Sequence, residues 1–226
     1  MESSEVIMLE WLRDLTVFRV AGLLGVFFGL LGVILPMVVY RGREGERYSI
    51  LNHYISELGE RGVSRWAWVF NLCILCCGLA VLICTISLGL GLPGVWAKLG
   101  MLFGVVTGLG LIMVGLFPMD NIKPHATAAI TFFRGGLLMV LAFSLALLFP
   151  PQNEALFSRF FGLVGLIPTA AFGYFLWLMW IVRDKVDQTL STQEFHRPSV
   201  WKLAISEWAV YFSIILWILV LSLGIG

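Results

Sequence analysis

The chain has 226 residues, 59% of them hydrophobic and 13% charged, with a formal net charge of +1. A soluble domain carries nearer a quarter charged residues, and no basic stripe is present to neutralise the phosphates of a nucleic acid. Mean hydropathy is +0.93 and long apolar runs recur, so a polytopic helical membrane protein is expected. Lipid permits only helices and closed barrels as spanning structures, and the alternating ten-residue segments of a barrel are absent.

The opening "MESSEVIMLEWLRD" is acidic where a signal peptide would be basic, which predicts that the first apolar run is kept as a span. Six spans follow in order, at about residues 15–40, 66–90, 96–117, 127–149, 160–182 and 202–223. Each is long enough to cross a hydrocarbon layer of ~30 Å as a helix. Trp66, Trp68, Trp96, Trp177, Trp180, Trp201 and Trp208 mark many of the ends, where an amphipathic ring prefers the headgroup layer. "LGLPG" and "FPPQN" supply breakers for two short turns. The expected fold class is all-α, one domain over residues 1–226, a six-helix transmembrane bundle.

Six spans place the connections after the first, third and fifth on one side, the odd side. That side holds Arg41, Arg43, Arg47, Arg61, Arg65, Lys123, Arg183, Lys185, Arg197 and Lys202, against Arg13, Arg19, Lys98 and Arg159 on the other. The bias predicts a cell-membrane protein with its odd side cytoplasmic and both termini outside. Gly25 and Gly29, and Gly100, Gly104 and Gly108, lie at the spacing that lets helix backbones approach closely. These faces suit packing within the bundle, or a second copy or partner subunit. Pro168 is expected to kink the fifth span. Cys73, Cys76, Cys77 and Cys84 all fall in the second span. With no nearby cation to hold a thiolate, they read as small buried residues rather than a thiol oxidoreductase centre.

Polar groups in the spans collect toward the odd side. Arg134 is about two turns into the fourth span, Glu207 between one and two turns into the sixth, and Asn71 at similar depth in the second. Asp120 and His125 lie in the connection "PMDNIKPHATAA", and His53 and His196 in the other odd-side connections. His53 and Glu57 are four apart, so a helical "LNHYISELGERG" along the interface would show both on one face. Together these residues predict a polar basin open to one leaflet, with this segment as its rim. Arg134 would face an anionic headgroup as a planar fork donor, with Glu207, Asn71 and Ser56 beside it. The competing reading is that Arg134 and Glu207 pair with each other or snorkel to the interface.

The stretch "ISELGERG", Asn71, "GLFPMDN" and a histidine before "AA" resembles the prokaryotic six-span family known as domain of unknown function 998. The matching residues are Ser56, Glu57, Leu58 and Gly59, then Pro118, Asp120 and His125. The resemblance implies the six-span fold and no particular activity. A fainter one links Ile55, Ser56 and Glu57 to the Ile-Ser-Asp stretch of the damage-regulated autophagy modulator and glycolipid-anchor remodelling membrane proteins. In that group the first connection faces the lumen, opposite to the charge bias here.

Three functions are consistent with these residues. One is a membrane protein that binds a lipid headgroup or small amphiphile and needs no cofactor. Another is a lipid hydrolase or transferase using His53, Glu57, Asp120 and His125, in which His53, His125 and Asp120 would hold a divalent metal. No H-E-x-x-H spacing supports the metal. The third is an accessory subunit of a larger membrane complex. A transporter is disfavoured because the even-side half of most spans carries few polar residues.

Overall fold

A computed structural model describes residues 10–151, 156–190 and 198–224, with positions 183–190 as backbone only. His196 and Arg197 lie outside the described residues. Six long helices account for most of the rest: α1 (Leu15–Val39), α2 (Ala67–Gly91), α3 (Val95–Leu116), α4 (Ile122–Leu148), α5 (Arg159–Leu190) and α6 (Lys202–Leu223). Each contains a stretch apolar enough to cross a membrane, which in α5 is Arg159–Val182. The protein is an all-helical, six-span bundle.

Two boundaries differ from the sequence expectation. Helix α4 begins at Ile122, so His125 belongs to a helix and not to a connection. The reason is Pro124 in its first turn, where no N–H is needed and the fixed φ suits a helix start. Helix α5 runs on past the apolar stretch through a polar segment. It also runs through Pro168 without a break, and Thr169 Oγ1 donates to the Gly165 carbonyl at 2.8 Å.

Each helix packs on its neighbours in sequence, and α6 returns to α1 to close a ring. Glycine sets the closest approaches. A methyl group on Gly115 would lie 2.6 Å from the Asn71 carbonyl oxygen, and one on Gly78 would lie 2.7 Å from the Ile112 amide nitrogen. The glycine faces singled out in the sequence also meet neighbouring helices of this chain: Gly29 meets Ile215, Gly100 meets Phe143, Gly104 meets Thr85 and Gly108 meets Leu82. The four cysteines are free, and Cys77 Sγ donates to the Gly25 carbonyl across the α1–α2 contact.

The first connection folds back into the odd end of the bundle. Between turns at Gly45 and Gly62, both with positive φ, its only helical piece is a 3-10 turn, η1 (Ile55–Gly59). The interfacial amphipathic helix expected over "LNHYISELGERG" does not form. His53, Glu57 and Leu58 are buried, because η1 is wedged between α1, α2 and α6. Irregular backbone at such a place is tolerated because protein groups satisfy it.

Candidate functional site

The cap formed by this connection is held from every side. Trp208 Nε1 donates to the His53 carbonyl at 3.2 Å, the Trp201 amide to the Leu51 carbonyl at 2.7 Å, and Asn71 Nδ2 to the Gly59 carbonyl at 3.0 Å. The first amides of a helical turn have no partner within it. Here Glu57 Oε1 accepts from Tyr54 N–H at 2.8 Å and Glu207 Oε2 from Ile55 N–H at 2.9 Å. Glu207 is five residues into α6, so the turn reaches ~8 Å below the start of that helix. The Tyr48 hydroxyl donates to the Tyr54 carbonyl at 2.8 Å. Burial pushes that phenol well above its ordinary range, and the nearby Glu207 and Glu57 carboxyls push it further.

A cavity of about 110 Å³ lies directly beneath the cap, walled by Ser56, His125 and Glu207 at its polar end and otherwise by apolar residues such as Phe70, Leu111 and Phe132. A second cavity of about 90 Å³ adjoins it, sharing Ile74, Leu111, Phe132, Tyr211 and Ile214. It continues between the helices along Gly22, Gly25 and Gly29 of α1. Each cavity is smaller than the ~150 Å³ apolar cavity that holds benzene, and the two are separated only by the side chains that they share.

The chemistry at the polar end is specific. His125 Nδ1 is 2.8 Å from the Phe117 carbonyl oxygen. A carbonyl can only accept, so Nδ1 carries the proton and Nε2 is left as the acceptor. Among the described residues, Ser56 Oγ has only the thioether of Met119 as a partner, at 3.7 Å, and no lysine or arginine lines either cavity.

The predicted residues therefore separate. Ser56, His125 and Glu207 come together. Asn71 and Glu57 hold the cap. His53 sits apart in an aromatic cage of Tyr40 and Tyr48, with Nδ1 2.8 Å from Asn52 Oδ1. Asp120 is clamped by Arg61 through contacts of 2.8 to 3.2 Å, which holds its carboxyl below the ordinary range. Arg134 is exposed on the outer face of α4, so the shared basin with Glu207 is not formed: one faces out and the other in. Among the described residues no three His, Cys, Asp or Glu side chains converge to hold a metal. The lining residues Tyr211, Phe132 and Ile214 escaped sequence reading because an apolar residue carries the same signal whether it packs or lines a cavity.

Fold and site define a six-span helical membrane protein whose odd end is closed by a re-entrant cap over a polar-headed internal cavity. The chain belongs to the family described as protein of unknown function (DUF998), whose model matches residues 28–224. That match takes in about the second half of the first span as well as the motifs noted in the sequence. No curated protein and no solved structure matches the chain.

Proposed function

We propose that the protein binds an amphiphile, with a hydrogen-bonding head among Ser56, His125 and Glu207 and a short apolar chain in the adjoining chamber. The observation that carries this is the pairing of a polar-ended cavity with a wholly apolar one through a shared wall. Ligand sites are mostly apolar, with a few convergent polar groups fixing orientation. The absence of a lysine or arginine from the walls favours a head bearing hydroxyl or amino groups over a phosphate. The anionic headgroup suggested by Arg134 is accordingly replaced by an uncharged or amino one.

The test is native mass spectrometry of the detergent-purified protein and an Ala129→Phe variant, in which the new ring fills the space beneath the cap. Retained amphiphile should fall roughly tenfold or more in the variant, equivalent to at least ~1.4 kcal/mol. Equal retention in the two proteins would place any bound lipid elsewhere. The same reading sets the protein in the cell membrane with the cap on the cytoplasmic face. Its support is the weight of arginine and lysine on that side: Arg41, Arg43, Arg47, Arg61, Arg65, Lys123 and Lys202 among the described residues.

A further inference from the structure

Among the described residues, Arg134 is the one charged side chain in the middle of a span that faces outward. Its depth follows from the neighbouring helix. A methyl group on the adjacent Gly135 would lie 2.8 Å from Thr107 Oγ1, so this level of α4 matches a residue nine from Leu116 and twelve from Val95 at the ends of α3. At a rise of 1.5 Å per residue, those ends are ~14 Å and ~18 Å away.

Helical side chains lean toward the helix N-terminus, which for α4 is the odd side. Six bonds of an extended chain, at ~1.2 Å each, reach roughly 7 Å, about half the distance to that end. Val106 and Leu138 are exposed beside Arg134, and toward the odd end lie Thr131 and Thr127, whose hydroxyls donate to carbonyls of their own helix. No ion pair or hydrogen bond to Arg134 occurs among the described residues. A charge at mid-depth on a lipid-facing surface is costly and calls for a partner.

We infer that Arg134 marks a docking face for a helix of a different membrane protein, one that carries an aspartate or glutamate at matching mid-depth. Charge complementarity selects this occupant. A second copy of the chain has no such group to offer: among the described residues the one carboxyl inside an apolar span, Glu207, lies near the odd end of α6, is buried and holds the Ile55 amide. The extended side chain stops ~7 Å short of the odd end of α3, so a helix carboxylate at its own level is the nearer anionic partner. Gly29, Gly100, Gly104 and Gly108, small residues of the kind used in helix association, already meet this chain's own helices.

The experiment uses two labelled transmembrane probe helices in phosphatidylcholine bilayers, identical leucine-rich sequences with aspartate or leucine at the central position. Energy transfer from the full-length protein reports association. The aspartate probe should bind roughly tenfold more tightly than the leucine probe, the size of one interhelical polar contact in lipid. The preference should vanish in Arg134→Leu and persist in Arg134→Lys. Arg134→Leu removes no contact within the bundle, so helicity and monodispersity should match the wild type. Equal binding of the two probes, or a preference that survives Arg134→Leu, overturns the inference. So does a preference abolished by adding phosphatidylglycerol, which would give the position to an anionic headgroup. Self-association lost in Arg134→Leu would give it to a second copy and overturn the inference as well.

Discussion

Glu57 and Glu207 are two carboxyls within one cap, and each accepts from the first amides of the same short turn. Their primary work is to satisfy backbone that has left regular helix inside the bundle. Replacing Glu207 with leucine strands the Ile55 amide, and a buried amide without a partner costs ~1–3 kcal/mol. Glu207→Gln keeps an acceptor oxygen and should cost less than about 1 kcal/mol on the same grounds. Denaturation of the detergent-solubilised variants distinguishes them, and equal losses would mean that acceptor geometry is not what Glu207 supplies. The Arg61–Asp120 clamp lies at the surface, where solvent screens such a pair and leaves it little net energy. Its value is positional, tying the end of the cap to the α3–α4 connection. The residue types at this end were legible in the sequence. Their division into a cavity trio, a cap set and a surface clamp was not, because spacing along a chain does not report which elements it meets.

At the scale of elements, packing is set by backbones brought together at glycine. At Gly115 an added methyl would meet the Asn71 carbonyl oxygen at 2.6 Å and the Leu75 amide nitrogen at 2.9 Å. Backbone atoms of a packed helix cannot rotate away as a side-chain end can, so Gly115→Ala should destabilise by ~1–3 kcal/mol. Gly173, on α5, has nothing within 4 Å of that position. Gly173→Ala should therefore be neutral or stabilising by up to ~1 kcal/mol, the helix-propensity gain. Thermal unfolding of the pair tests this, and a similar loss in both would remove close approach as the explanation. The cap is the element that the sequence misreported. Its i, i+4 pairing of His53 and Glu57 implied an α-helix, but the ring of Phe70 and the amide of Asn71 crowd Gly59. The aromatic cage around His53 draws the preceding residues into turns.

For the whole molecule, six helices close a ring with one plugged end, and the basic residues gather at the plug. With that end cytoplasmic, a cysteine replacing the exposed Arg65 should react with a membrane-impermeant maleimide only after cells are permeabilised. One replacing Val95, exposed at the opposite turn, should react without permeabilisation. The reverse pattern would invert the orientation and place the cap outside.

The six spans were determined by the sequence alone, since crossing lipid demands some twenty apolar residues whatever the neighbours do. The pooling of polar residues at one end was equally plain from chain order. Which face of each helix looks inward was decided only by the tertiary structure. In a soluble helix an apolar stripe marks the buried face, but a span that is apolar all round carries no such mark. Glu207 on α6 and Arg134 on α4 look alike as isolated charges in apolar sequence, and helix packing turned one to the cavity and the other to the lipid.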